Sequence, residues 1–168
     1  MGVFSSNLAL SHRFGVYFLE TGFAPSVLDF RFQRVSGMQA EIEMETIYEG
    51  GQNLYQHRVP KRVSYSNLVL HRGMVTSLSP LGLTINMALS SFSFNPSNVL
   101  IILFNEAGEH VMHKLFLKAV PIKWSISDMD AESDRVMIES IELSYTSFMS
   151  LPLPFAFEPP KIPVIDII

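Results

Sequence analysis

The sequence predicts a mainly β fold: a small β-barrel or sandwich flanked by one α-helix and followed by an extended, proline-rich C-terminal arm. Several segments alternate apolar and polar residues with the period of two that a half-buried strand requires. The stretch 151–168 instead places five prolines among apolar residues, which fixes an extended path. The length of 168 residues and the hydrophobic content of 48% favour a single folded core.

The first half of the chain contains four segments with strand-like alternation: 13–19, 28–33, 38–45 and 63–70. The third segment follows a turn at Ser36-Gly37, and its alternation outweighs the helix preference of its Ala, Glu and Met residues. A turn-rich break at 49–53 comes next, and Pro60 ends the loop before the fourth segment. The last two segments therefore predict a long hairpin.

The second half predicts a further hairpin and one irregular strand. A continuous apolar run at 99–104 is typical of a strand buried on both faces, and a turn at 105–108 leads to a strand at 111–120. In 135–145 the apolar phase slips by one residue. This slip predicts a β-bulge near Glu139-Ser140.

One segment fits two periods. The apolar residues of 81–92 lie on one helical face, yet those of 81–89 also alternate as in a strand. Ser79 and Pro80 are typical of an N-cap and a first helical residue, so we favour a helix.

These elements divide the chain into three regions: an N-terminal arm at 1–12, a β-barrel domain at 13–148 and an extended C-terminal arm at 149–168. The arm carries more apolar side chains than a tail without its own core can leave in water. We therefore expect it to dock on a different protein; the alternative is that it packs back on its own barrel or on the neighbouring copy. The predicted docking residues are Leu153, Phe155, Phe157, Ile162 and Ile165.

Charge and composition exclude several classes of partner. A net charge of −4 and a pI near 5.7 give no basic surface for phosphates, so we expect no nucleic-acid sequence recognition. No run of about 18 uncharged apolar residues occurs, so we expect no direct membrane insertion. The absence of cysteine excludes disulfides, thiolate nucleophiles and thiolate metal sites.

The sequence contains no recognisable catalytic motif, and we predict that the protein is not an enzyme and needs no cofactor or metal. There is no Gly-x-Ser-x-Gly elbow, and Gly50-Gly51 lacks the spacing of a phosphate-binding loop. On a strand, His110 and His113 are expected on opposite faces, as surface histidines. The carboxylates of 128–134 with Glu139 match the ligand spacing of a calcium loop, but Ser133 replaces the required glycine, which favours a solvated acidic loop.

Glu41, Glu43 and Glu45 share one face of a predicted strand. Like charges in such a row repel one another unless solvent or a positive partner separates them. The pattern leaves two interpretations open: a simple wet face, or a face that lines a lumen or meets a neighbouring subunit.

The order of these segments resembles the contractile-tail tube protein family, whose members form the inner tubes of myovirus-type phage tails and of extracellular contractile injection systems. No single motif carries the resemblance; it rests on order and spacing over residues 12 to 148. The motifs are Phe32-x-x-Val35-Ser36-Gly37-Met38, Tyr48-Glu49-Gly50-Gly51-Gln52-Asn53, Val59-Pro60, Leu68-x-Leu70-x-Arg72-Gly73, Asn105-x-x-Gly108, Ala119-Val120-Pro121-x-Lys123-Trp124 and Val136-x-Ile138-Glu139-x-Ile141-Glu142-Leu143.

The resemblance implies a small β-barrel with one helix that assembles into hexameric rings stacked as a tube. It also implies that the hairpin with the double glycine reaches the adjacent ring. The subunit contact that it implies consists of Tyr48, Glu49, Gly50, Gly51, Gln52, Asn53 and Leu54. The expected partners are identical copies, adjacent rings, a spike or hub protein and sheath or baseplate proteins. Assembly is expected in the bacterial cytoplasm, as part of a phage tail or a released injection particle.

Two features depart from ordinary tube subunits: a helix without aromatic-rich character, and the long C-terminal arm. Both favour a specialised ring, such as the initiator between the spike hub and the repeating tube. The alternative function is a monomeric small β-barrel that binds a small ligand, for which the signature is an enclosed apolar pocket.

Overall fold

The computed structural model describes residues 13–19, 32–52, 54–74, 80–129 and 135–152. Within these ranges the chain forms nine strands and one helix. In order they are β1 (Phe14–Leu19), β2 (Arg34–Ser36), β3 (Ala40–Ile47), β4 (His57–Tyr65), β5 (Leu68–Gly73), α1 (Pro80–Ser91), β6 (Ser97–Phe104), β7 (His110–Ile126), β8 (Ile138–Ser144) and β9 (Ser147–Leu151). Most of the predicted strand at 28–33 lies outside the described residues, as do residues 130–134 of the acidic loop.

The strands form one large antiparallel sheet and one separate hairpin. The large sheet has the order β1-β6-β7-β8-β5-β2, with β9 paired to β7, and the separate sheet consists of β3 and β4. The 17 residues of β7 belong to both halves of the large sheet. Its first part pairs with β6 and β9, and its second part, from Val120, pairs with β8.

β7 changes partners at Lys118, which has a left-handed backbone with φ of 53°. The Lys118 amide donates a hydrogen bond to the side-chain oxygen of Asn98 at 3.0 Å. The β6–β7 register shifts at the same point, between Ser97 and Val99. A bulge of this kind bends a strand and increases its twist, which allows one strand to pass from one half of the sheet to the other.

The main core lies between the two halves of the sheet and α1. Its buried members are Val16, Phe32, Leu68, Leu70, Leu81, Ile85, Val99, Ile101, Phe116, Ala119, Ile141 and Leu143. A second, smaller cluster of Tyr17, Leu100 and Ile102 covers the other face of β1 and β6. The prediction of a strand buried on both faces is confirmed for 99–102, whereas Leu103 and Phe104 are half-buried. The mainly β fold with one helix is confirmed as a whole.

The helix predicted at 81–92 is confirmed as α1. It begins at Pro80, whose fixed φ suits the first helical position. Leu81, Ile85 and Ala88 face the core, as their spacing requires. No helix in the described ranges is long and apolar enough to cross a membrane.

The predicted stretch 63–70 consists of parts of two strands. Pro60 lies inside β4, which ends at Tyr65, and β5 begins at Leu68. Proline lacks the amide that a central strand must donate, but among the described residues β4 pairs with β3 alone, and the β3–β4 register shifts beside Pro60. The prediction that Pro60 ends a loop was therefore wrong.

The β-bulge predicted near Glu139-Ser140 is absent from β8. Residues 138–143 pair regularly with β5, and Glu139 shares the buried face with Ile141 and Leu143. The register shift lies on β7, between Pro121 and Lys123. The alternation of apolar residues is interrupted at position 139 because a charged residue, Glu139, occupies this buried position.

The buried Glu139 is held by a polar network. Arg72, directly opposite on β5, places its Nε 2.6 Å from Glu139 Oε2. Trp124 Nε1 on β7 donates to Glu139 Oε1 at 2.7 Å. The guanidinium also lies 5.7 Å from the centre of the Phe32 ring. Since Arg72 is 2% and Glu139 is 7% exposed, each charge depends on the other in place of water.

We expect Glu139→Ala to lower the free energy of unfolding by about 3–5 kcal/mol, because it leaves the buried Arg72 without its counter-charge. Urea denaturation followed through Trp124, the single tryptophan, measures this loss. The matched control is Glu43→Ala, which removes a carboxylate that also bonds an arginine but at an exposed site. Equal unfolding midpoints for the two variants would contradict the importance of the buried pair.

Candidate subunit interface

The hairpin of β3 and β4 is the largest feature of the described chain that has no sheet partner. The two strands pair from Ala40 with Tyr65 to Ile47 with His57. Lys61 is the extra residue at a bulge that faces Glu43 and Met44. An isolated two-stranded hairpin is marginally stable in water, so this one requires further contacts.

One face of the hairpin carries the charges. Arg62 donates two hydrogen bonds to the Glu43 carboxylate, at 2.7 and 3.0 Å, and this contact lowers the pKa of Glu43. Lys61 Nζ lies 3.7 Å from Glu45 Oε2. The acidic row predicted from the sequence is therefore matched by basic residues of the same hairpin, except for Glu41, which faces Ser64.

The other face is apolar and exposed. Ile42 pairs with Val63, and Met44 pairs with Pro60. Side chains directly opposite in an antiparallel pair share one face. Ile42 is 57%, Val63 48% and Met44 44% exposed. A contiguous exposed apolar strip of this kind is suited to contact with another molecule.

The root of the hairpin is fixed to the main core by aromatic rings. The Tyr65 ring centre lies 5.8 Å from that of Tyr145 and 5.7 Å from that of Phe148. Both of these rings contact Phe116, which is fully buried. The base of the hairpin is therefore packed against the main core, although its two strands are exposed.

Gly37 sets the path into β3. Its φ is +84°, and a Cβ atom at this position would collide with the carbonyl oxygen of Asn67. The backbone amide of Ser66 also donates to the carbonyl of Gln39 at 3.2 Å. The Ser36-Gly37 turn predicted from the sequence thus depends on the absence of a side chain.

The contact residues implied by the family resemblance lie at the tip of the hairpin. Gln52 donates its amide to the carbonyl of Glu49 at 3.2 Å and closes the turn around the double glycine. Tyr48 is 79% and Leu54 is 92% exposed. Asn53 lies outside the described residues. Large apolar side chains so exposed at a tip are suited to contact with another molecule.

The predicted docking residues of the arm, 153 to 165, also lie outside the described residues. The described chain shows that the sheet extends past position 148, since β9 continues to Leu151 and pairs with β7. Leu151 packs beside the second apolar cluster. The first three residues of the predicted arm, 149–151, are therefore part of a strand of the large sheet.

The prediction for His110 and His113 was wrong. The two rings lie on the same face, with His113 Nε2 3.0 Å from His110 Nδ1. The β6–β7 register shifts between Leu103 and Phe104, and this shift adds one residue to β7 between the two histidines. His113 is 1% exposed, so it is not a surface histidine. An odd separation on a strand predicts opposite faces only where no bulge intervenes.

No group of three or more side chains that could hold a metal ion occurs in the described ranges. Glu139, the twelfth position of the calcium-like spacing, directs its two oxygens to Arg72 and Trp124. The β3–β4 hairpin presents an exposed apolar face. The fold and this surface define a structural subunit of an assembly.

The chain belongs to the family of T4-like virus tail tube protein gp19, whose sequence model matches residues 10–149. No curated protein sequence matches the chain. Relatives in this family are structural tube proteins, and the protein is a structural protein and not an enzyme.

Solved structures of proteins from contractile injection systems are similar to this chain in fold. A chain of the anti-feeding prophage baseplate, determined by cryo-EM with 6-fold symmetry, is 36% identical, with a TM-score of 0.81 over 89% of this chain and 99% of that chain. A chain of the PVC sheath–tube complex in the extended state is 20% identical, with a TM-score of 0.73 over 88% and 93%. A chain of the anti-feeding prophage cap is 20% identical, with a TM-score of 0.71 over 90% and 99%.

We expect the backbone amides of β3 and β4 in the isolated subunit to exchange with deuterium much faster than those of β6. The hairpin is exposed on both faces, whereas β6 is buried on both. Hydrogen–deuterium exchange with mass spectrometry compares the two segments in one sample. Equal protection of both segments in a monomeric sample would show that the hairpin is stable without a partner.

Proposed function

We propose that this protein forms a hexameric ring in the inner tube of a contractile, phage-tail-like injection system, either as a tube subunit or as the tube-initiator ring beside the spike hub. The ring assembles in the bacterial cytoplasm and becomes part of a phage tail or of a released injection particle. Its function is geometric: a closed conduit and a rigid piston. The exposed β3–β4 hairpin is the single observation that carries this proposal.

The hairpin supports assembly through its unequal faces. On its charged face, Glu43 and Glu45 are matched by basic residues of the same hairpin, so these two carboxylates require no opposite charge from a partner. Its apolar face remains exposed. A copy of the same chain in a closed ring can cover such a face and leave no open strand edge. The tip, with Tyr48 and Leu54, then contacts the adjacent ring.

The level of identity supports a position near the baseplate. The chain is 36% identical to a chain of the 6-fold symmetrised anti-feeding prophage baseplate, but 20% identical to a chain of the PVC sheath–tube complex. A ring at the end of a tube meets a hub or baseplate protein on one side and a tube ring on the other. The C-terminal arm supplies an additional contact for the hub in this proposal, through Leu153, Phe155, Phe157, Ile162 and Ile165.

We expect the double variant Ile42→Lys, Val63→Lys to abolish ring formation while the subunit stays folded, because both charges enter the apolar strip of the hairpin. Native mass spectrometry and negative-stain electron microscopy measure the assembly, with tube or hub partners added where rings require them. The control is Met129→Lys, which places a lysine at a residue that is 78% exposed outside the hairpin.

Leu54→Asp tests the tip separately. Rings of this variant are expected to form but not to stack. A wild-type protein that stays monomeric with all partners present would overturn the ring and would favour the alternative, a monomeric β-barrel that binds a small ligand.

Removal of residues 153–168 tests the arm. The truncated protein retains β9, and we expect it to fold and form rings but no longer to co-purify with the hub protein. Full-length protein with Met129→Lys serves as the control for a change that leaves the arm intact. Loss of folding or of ring formation would place the arm within the subunit or between identical copies, which contradicts its assignment to the hub.

A further inference from the structure

The histidine pair on β7, in which His113 is buried and His110 is half-buried, has no role in the proposed assembly surface. His113 lies on the face of the sheet that carries the second apolar cluster, because it pairs with Ile102 of β6 on one side and with Leu151 of β9 on the other. His110 lies at the start of β7, where the turn 105–109 ends. Its ring contacts Phe104 at 5.2 Å and His113 at 5.0 Å, both edge-on.

The distance of 3.0 Å between His113 Nε2 and His110 Nδ1 is that of a hydrogen bond between the two rings. With both rings neutral, one nitrogen donates and the other accepts. One added proton leaves a charged ring that still donates to a neutral one. A second proton places two N–H groups and two like charges against each other, so the hydrogen bond is lost.

Burial, and then the neighbouring His110, lower the pKa of His113. Other ionisable groups near the pair do not offset this lowering of the His113 pKa. Tyr17 of β1 lies on the same face, and burial raises the pKa of its hydroxyl, so it stays neutral. Arg13 adds positive charge at the open end, where its guanidinium donates to the Glu106 carbonyl. The Glu109 carboxylate is engaged by Asn105.

We propose that His110 and His113 form a pH-sensitive lock, which holds the end of the β6–β7 hairpin and the adjoining end of β9 at neutral pH and releases them on acidification. The release reaches β9 because Leu151 is the residue paired with His113. Residues 152–168 continue from this point. Acidification therefore loosens the segment from which the C-terminal arm departs.

The direction in which the stability changes with pH follows from the difference in the pKa of His113 between the native and unfolded states. His113 has a lower pKa in the native state than in the unfolded chain, where it is about 6.5. Below that value the unfolded or locally opened state binds the proton first. Stability is therefore fully present above about pH 6.5, falls as the pH decreases, and levels off below the native pKa.

Urea denaturation of the full chain at about pH 7.5 and 5.5 tests the lock. We expect the wild-type folded-to-unfolded ratio to fall by up to about tenfold per pH unit from this one group, in addition to the changes that other groups cause. His113→Gln keeps a donor but cannot be protonated, and we expect a shallower pH dependence. His57→Gln, at an exposed histidine, is the control and keeps the wild-type dependence.

A local measurement separates the lock from a global effect. At about pH 5.5, deuterium exchange of the peptides covering 105–114 and 147–151 is expected to be faster in the wild type than in His113→Gln, and equal in the two at about pH 7.5. An unchanged pH dependence of stability in His113→Gln would overturn the proposal. So would equal exchange of the wild type and His113→Gln at both pH values.

If His113→Gln does not fold, the wild-type protein still gives a test. Histidine side-chain NMR titration is expected to show that the pKa of His113 lies below the ordinary value of a histidine, because its ring is buried beside His110. A His113 midpoint at or above that ordinary value refutes the lock. None of these results depends on ring formation, so they are separable from the proposed function.

Discussion

The continuity of β7 is the constraint on which the rest of the subunit depends. Its first part is paired on both sides, by β6 and β9, and its second part by β8. A strand can serve both halves of the sheet only if it bends without losing its pairing. Lys118 provides the bend through a left-handed backbone, which costs a residue other than glycine roughly 1–2 kcal/mol. The hydrogen bond from its amide to Asn98 offsets about 1 kcal/mol of this cost.

The buried pair of Arg72 and Glu139 constrains the register of the second half of the sheet. The two residues lie directly opposite on β5 and β8. A slip of one residue would turn Glu139 to the other face and leave Arg72 buried without its counter-charge. The apolar neighbours of the pair would tolerate alternative registers more readily, because Leu and Ile pack in many arrangements. We therefore infer that the Arg72–Glu139 pair favours the observed register of β5 and β8 over registers shifted by one residue.

The sequence was sufficient for elements governed by a single local rule. Alternation predicted β1 and β3, the uninterrupted apolar run predicted β6, and Ser79-Pro80 predicted the start of α1. The errors occurred where a bulge or a charge interrupted the rule. One inserted residue brought His110 and His113 together, and the buried Glu139 imitated a slip in phase. The pair of Arg72 and Glu139 could have been predicted from the sequence. The apolar series Leu68, Leu70 ends in Arg72, and the series Leu143, Ile141 ends in Glu139.

The interface was less predictable, because the alternation of β3 does not say which face meets protein and which meets water. The structure divides the hairpin in a way that favours a specific partner over open-ended aggregation. Charges compensated within the hairpin give it a soluble face, and Pro60 with the bulge at Lys61 interrupts the outer edge of β4. Further strands cannot easily add to that edge, so the apolar face is left as the surface to be covered. In the closed ring that we propose, each subunit meets its neighbour through the same two surfaces, so a neighbour can cover this face without extending an edge.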